Sequence, residues 1–135
     1  MNSMDWGILI LRLGLGIMFT AHGLQMVFGL YKGPGVGGFS KMLGGMGFIQ
    51  PLFWSILASY TCLIGGLCLI LGLITRIACV PLIIFMLVAV ATVHLSKGFF
   101  ITNGGWEYNF VILCGLISLL FMGSGKFSIT KLFGA

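Results

Sequence analysis

Two histidines and one carboxylate are the side chains of this sequence best suited to moving a proton or holding a polar ligand. His22 lies near the end of the first apolar run, His94 near the end of the third, and Glu107 at the start of the fourth. An imidazole titrates near neutrality, and a neighbouring carboxylate shifts or orients it, so the set could relay protons. Two histidines and a carboxylate also match the composition of a non-haem metal triad, but nothing in their spacing fixes a facial geometry, and no metal is assigned. Gln25 and Asn109 add polar groups nearby, while Arg12 stands apart as a cation inside an apolar run.

The elements that must carry these residues follow from composition. The chain has 135 residues, 59% hydrophobic and 7% charged, with a mean hydropathy of +1.18. A soluble domain carries about a quarter charged residues to face water, so this chain could not cover a soluble surface. Four apolar runs account for the imbalance: Trp6 to Leu30, Leu52 to Ile74, Ile77 to Leu95 and Tyr108 to Met122. A bilayer core about 30 Å thick needs about 20 helical residues, which the first three supply and the fourth approaches. The runs are continuous rather than alternating, which favours helices over a barrel. The expectation is one all-α domain, residues 1–135, folded as a transmembrane four-helix bundle with helices near 6–30, 52–74, 77–97 and 107–123. The first run lacks the basic leader and short apolar core of a cleaved signal, so it is expected to remain as a helix.

The net charge of +5 is dispersed singly near segment ends, unlike the clustered face of a nucleic-acid binder, so no nucleic-acid partner is expected. Four helices put both termini on one side, with Arg12, Arg76, Lys126 and Lys131 there against Lys32, Lys41 and Lys97 opposite. Positive residues favour the cytoplasm, which gives a cytoplasmic placement of both termini by one charge. Cys62, Cys68, Cys79 and Cys114 form no Cys-x-x-Cys pair and read as small packing residues.

Between the first two helices, Phe39, Met42, Leu43 and Met46 recur at helical spacing within "YKGPGVGGFSKMLGGMGFIQP", which predicts a short amphipathic interfacial helix. The link "GLITRIACVP" is short enough to make the second and third helices antiparallel neighbours. Membrane helices pack through small, weakly polar residues. On that rule Arg12, Gly16, Thr20 and Gly23 form an inward stripe on the first helix, Ser55, Ser59, Cys62 and Gly66 on the second, and Glu107, Val111, Cys114 and Ser118 on the fourth. By helical rise His22 stands about 24 Å along the first helix and His94 about 26 Å along the third, which puts both at the membrane face of Glu107. A structural role fits the same residues: Glu107 favours a helix N-terminus and could pair with Lys97, while the histidines meet interfacial water. Arg12 needs planar oxygen partners, for which backbone carbonyls, a lipid phosphate or a ligand carbonyl such as that of a quinone are candidates, or it extends along the helix to the headgroups.

The stretches "LRLGLGIMFTAHGLQMVFG", "GGLCLILGLITR", "VHLSKGFFITNGGWEYNF" and "GSGKFSI", in this order, resemble the successive signatures of the DoxX family of small bacterial membrane proteins. The resemblance implies a four-helix protein of the bacterial cytoplasmic membrane, related to the membrane subunit of an archaeal thiosulfate:quinone oxidoreductase. Arg12, His22, Gly23, Gly65, Gly66, Gly72, Arg76, His94, Gly98, Gly105 and Glu107 match the family pattern. Met26, Cys62 and Thr130 depart from it, standing where many relatives have Lys, an acidic residue and Asp. The chain carries no dinucleotide fingerprint, haem-attachment motif or iron–sulfur cysteine set, so electron chemistry would need a cofactor it does not itself specify. The first expectation is therefore an accessory subunit of a redox-linked or sulfur- and quinone-associated membrane system; any enzymatic activity would be that of an oxidoreductase subunit related to thiosulfate:quinone oxidoreductase. The alternatives are a module that binds or transports a lipid or other small hydrophobic molecule, and a scaffold that recruits soluble redox or sulfur-metabolism enzymes through Lys126 and Lys131. A homo-oligomer is compatible with each.

Overall fold

A computed structural model describes residues 3–30, 32–126 and 128–129. Lys131 and Thr130, which entered the charge balance and the family comparison, lie outside the described residues. The architecture is an all-helical membrane bundle. Helix α1 spans Ser3–Phe28, α2 Gly35–Gly45, α3 Pro51–Leu71, α4 Thr75–Ala89 and α5 Glu107–Met122. A π turn over Val90–His94 and a 3₁₀ turn over Leu95–Lys97 extend α4. Three helical spans, Ser3–Phe28, Pro51–Leu71 and Thr75–Lys97, are long and apolar enough to cross a bilayer; α5 is apolar but has 16 residues. The expected boundaries shift by a few residues, and the third run is α-helical only as far as Ala89 before it tightens and widens into the two turns.

Local chemistry sets the ends. Pro51 opens α3, where its missing N–H costs no helical hydrogen bond. Gly72, at φ 70°, closes α3, and Leu73 returns its N–H to the Cys68 carbonyl at 2.9 Å. Three residues later α4 begins at Thr75, which turns the chain back against α3 as the short link requires.

Helix α1 packs on α3 and α5, and α4 packs on the same two, so α1, α3, α4 and α5 follow one another around the bundle. The α1–α3 seam is the tightest. A Cβ at Gly23 would lie 2.6 Å from Leu63 Cα, and one at Gly66 would lie 2.6 Å from the Thr20 backbone nitrogen. The two backbones touch there, as small-residue packing in lipid allows. Arg12, Gly16 and Gly23 are buried on α1, Thr20 is half-buried, and Ser55, Ser59, Cys62 and Gly66 are all buried on α3. Phe19, Leu69, Leu82, Met86, Leu116 and Leu119 fill the interior, while large apolar side chains such as Ile10, Ile17, Ile84 and Phe121 point outward.

The stripe expected on the last helix is on the wrong face. Val111 is 66% exposed, and Cys114 and Ser118 are exposed too; the buried face is Asn109, Ile112, Leu116 and Leu119. Ser118 donates its hydroxyl to the Cys114 carbonyl at 2.8 Å, so its polarity is satisfied within α5 and needs no neighbouring helix. Small-residue packing governs α1 and α3, whereas α5 meets the core with leucines.

Replacing Gly23 by Leu should force the α1–α3 seam apart. Overpacking of this kind costs about 1–3 kcal/mol or more. Thermal unfolding in detergent should show a clear drop in midpoint for Gly23→Leu and none for Gly14→Leu, since a side chain at Gly14 meets nothing within 4 Å. Equal melting of both variants would refute the seam.

Candidate functional site

At the end of the bundle that holds Ser3 and Gly125, Arg12 is 1% exposed. Its guanidinium donates to three backbone carbonyls: Nε to Leu69 at 3.0 Å, Nη1 to Ser124 at 2.8 Å and Nη2 to Ile70 at 3.1 Å. Leu69 and Ile70 belong to the last turn of α3, whose carbonyls lie at the negative end of the helix dipole and retain acceptor capacity, the Leu69 carbonyl accepting the Gly72 N–H at 3.3 Å as well. Of the expected partner types, backbone carbonyls are found at Arg12 among the described residues. Gly72 makes this possible, because a Cβ there would lie 2.7 Å from Nη2, on top of the guanidinium. Arg76 makes a similar but exposed contact, donating from Nη2 to the Phe121 carbonyl at 3.1 Å. Arg12 thus ties α1 to the end of α3 and to the chain beyond α5.

The opposite end is built differently. After the π turn the chain folds over itself: Gly105 donates to Phe100 at 3.0 Å, Trp106 to Gly98 at 3.1 Å and Glu107 to Phe99 at 2.8 Å. Phe99 stacks edge-on against Phe100 and Trp106, and Trp106 against Phe110, which stiffens the loop. This loop presents the Gly104 carbonyl to His94 Nδ1 at 2.7 Å. A carbonyl can only accept, so Nδ1 carries the proton, and in the neutral ring Nε2 is a bare acceptor.

His94 and His22 both line a cavity of about 600 Å³ enclosed by four elements. Helix α2 walls it with Phe39, Met42 and Leu43, joined by Met46 just beyond its end; α3 contributes Trp54 and Thr61, and α4 contributes Pro81 and Phe85. Thr61 donates its hydroxyl to the Leu57 carbonyl at 2.6 Å, and Thr92 to Val88 at 2.8 Å, so both are turned onto their own helices. The polar side-chain atoms left to meet a ligand are the two imidazoles and the Trp54 indole. An apolar chamber with a few convergent polar groups is the usual form of a small-molecule site.

Of the three residues that depth along the helices placed at one level, His22 and His94 line the same cavity. Glu107 is not part of the cavity wall: it sits half-buried in the first turn of α5 and accepts the Ile101 N–H at 3.4 Å. Gln25 lies on the α1 surface against Gly33, away from the chamber. Asn109 is buried between α4 and α5, where its amide donates to Met86 sulfur at 3.4 Å and its carbonyl oxygen has no hydrogen-bond partner among the described residues. No three His, Cys, Asp or Glu side chains among the described residues lie close enough to hold a metal ion.

With this geometry in place, comparison with known proteins is direct. The family model for DoxX matches residues 7–95. The chain belongs to the DoxX family. It is 33% identical over 123 residues to "Putative oxidoreductase CatD" of Bacillus subtilis (strain 168), a match covering 91% of this chain and 84% of that protein. It is 30% identical over 135 residues to "Uncharacterized membrane protein Rv3486" of Mycobacterium tuberculosis (strain ATCC 25618 / H37Rv), covering 92% of this chain and 79% of the other. No solved structure matches. The DoxX region contains Arg12, His22 and His94 and stops before Glu107.

Sequence reasoning had found the helical spacing of the α2 residues but not that they close a chamber; their apolar character suited lipid equally well. It also had no signal for the Leu69, Ile70 and Ser124 carbonyls, since backbone acceptors carry no sequence signature.

Arg12→Lys should weaken the tie that Arg12 makes between the helices. An ammonium cannot reproduce the planar fork, and each carbonyl left unpaired in the interior costs about 1–3 kcal/mol. The variant should unfold at a clearly lower temperature in detergent, and Gly72→Ala should do the same because it crowds the guanidinium. Wild-type melting of Arg12→Lys would mean that the three carbonyls do not need the fork.

Proposed function

We propose that this DoxX protein is an accessory subunit of a redox-linked system in the bacterial cytoplasmic membrane, and that it holds a small amphiphilic molecule with a hydroxyl donor, a quinone in its reduced quinol form or a lipid, in the histidine-flanked chamber. The observation that carries the reading is the chamber itself: about 600 Å³, lined mainly by apolar side chains, with two imidazoles on its wall, one of which presents Nε2 as an acceptor when its ring is neutral. Met26, Met42 and Met46 line it with unbranched, polarisable side chains that adapt to a ligand's shape. The redox association is supported by the similarity to a protein named as an oxidoreductase, and electron donors or acceptors would come from partner proteins. In this reading α5 is the fourth crossing, and both termini face the cytoplasm as the distribution of Lys and Arg favours.

The ligand role of His94 separates from its structural one by substitution. His94→Asn keeps an N–H donor at the position of Nδ1, and with it the bond to Gly104, but removes the Nε2 acceptor. Native mass spectrometry of protein extracted in a mild detergent should show a co-purifying small molecule in the wild type. Retention should fall about three- to tenfold in His94→Asn, as expected for one lost hydrogen bond, with an unchanged melting temperature. A wild-type protein that is empty, or a variant that retains the molecule fully, would overturn the site.

A further inference from the structure

A second apolar space of about 460 Å³ runs along the outer face of α3 and α4, lined by Tyr60, Ile64, Gly65, Cys68, Ile77 and their neighbours. Leu57, Thr61 and Pro81 line both this groove and the histidine chamber. The two spaces are therefore neighbours, with those three residues between them. The hydroxyl of Thr61 is turned onto the Leu57 carbonyl, so the junction presents methyl and methylene groups. Gly65 lets α3 and α4 approach closely beneath the groove, since a Cβ there would press on the buried Leu82 at 2.9 Å. Pro81 gives no N–H to α4 and releases the helix from its usual bond to the carbonyl four residues back, at the point between the two spaces.

We propose that chamber and groove form one bent site for a single-chain amphiphile: a compact head with a hydroxyl donor sits at His94 Nε2, and one hydrocarbon tail passes the junction and lies between α3 and α4. This rests on the reading of the chamber as a binding site and adds the chemistry of its occupant. The head must donate because Gly104 holds the proton of His94 on Nδ1. The tail must be apolar and narrow because the walls beyond Thr61 are hydrocarbon apart from the Tyr60 and Cys68 side chains. From Leu57 to Cys68 the helical rise gives about 17 Å, which a zigzag of carbon–carbon bonds of about 1.5 Å covers in roughly 14 bonds. Lipid tails are themselves hydrocarbon, so the groove gains little affinity by burying another. Its effect is registration: it accepts the tail sideways from the bilayer while the head is selected in the chamber.

The test uses the full chain reconstituted in phosphatidylcholine vesicles with three photoreactive probes: a long-chain fatty alcohol with a diazirine beside the hydroxyl, the same alcohol with the diazirine at mid-chain, and the corresponding alkane. The head-labelled alcohol should mark chamber residues such as Met42 and Trp54. The mid-chain alcohol should mark the groove at Ile64 and Cys68, about tenfold above lipid-facing residues such as Ile10, Val111 and Phe121. Cys68→Phe should abolish the groove labelling and leave the chamber labelling intact, and His94→Asn should lower both. If the head probe marks the chamber but the mid-chain label is spread evenly over lipid-facing residues, the tail site is wrong and the chamber reading stands. If the alkane marks the groove as strongly as the alcohol, the groove holds annular lipid only and the proposal falls. If no probe marks the chamber above the lipid-facing background, the binding reading fails together with it.

Discussion

A guanidinium buried among apolar helices is the constraint around which one end of this protein is organised. Arg12 cannot shed its charge, and in a medium of low dielectric it must be surrounded by oxygen. The carbonyls available are those that a helix end leaves open, and the last turn of α3 supplies two of them, with the chain beyond α5 supplying a third. To offer them, α3 must stop at the right turn, Gly72 must take a left-handed conformation with no side chain, and the segment after α5 must return to α1. One ionic group thereby fixes the relative heights of three helices. The glycine seam of α1 and α3 extends that alignment along the bundle.

The histidine end has no such pin. The small-residue seam gives way there to α2, a π turn and a loop held by its own backbone bonds and aromatic stacking, and the space between the helices opens. A π turn adds a residue to a helical turn without adding length, so it changes the direction in which following side chains point; such turns recur at functional sites. Here it precedes the Gly104 contact that sets the His94 tautomer. The protein thus combines a rigid end that sets register with an end whose irregular backbone shapes a chamber.

Much of this was legible in the sequence because the physics was local. Continuous apolar runs gave the membrane helices, the spacing of Gly16, Thr20 and Gly23 gave the inward face of α1, and the positions of His22 and His94 gave their shared level. Glu107 was read with them because depth alone was considered; its direction depends on the loop from Gly98 to Trp106, whose fold rests on non-local backbone hydrogen bonds. The inward face of α5 was misread for a related reason. A serine and a cysteine at helical spacing suggest packing, yet the hydroxyl of Ser118 had a partner one turn away in its own helix. Arg12 was recognised as unusual, but its partners are main-chain atoms that every residue possesses.

The length of α5 has a consequence for the surrounding membrane. Its 16 residues rise about 24 Å, against a hydrocarbon thickness of about 30 Å. Gly123 ends the helix, and Arg12 and Arg76 hold the carbonyls of Ser124 and Phe121, so α5 cannot lengthen at that end without breaking the contacts that align the bundle. With α5 as the proposed fourth crossing, hydrophobic mismatch would be borne by the lipid: the leaflets would draw together beside α5 while remaining at ordinary thickness around α1. A bundle with one short side is surrounded by an asymmetric annulus, and bilayer thickness becomes a variable that biases its tilt and its choice of neighbours.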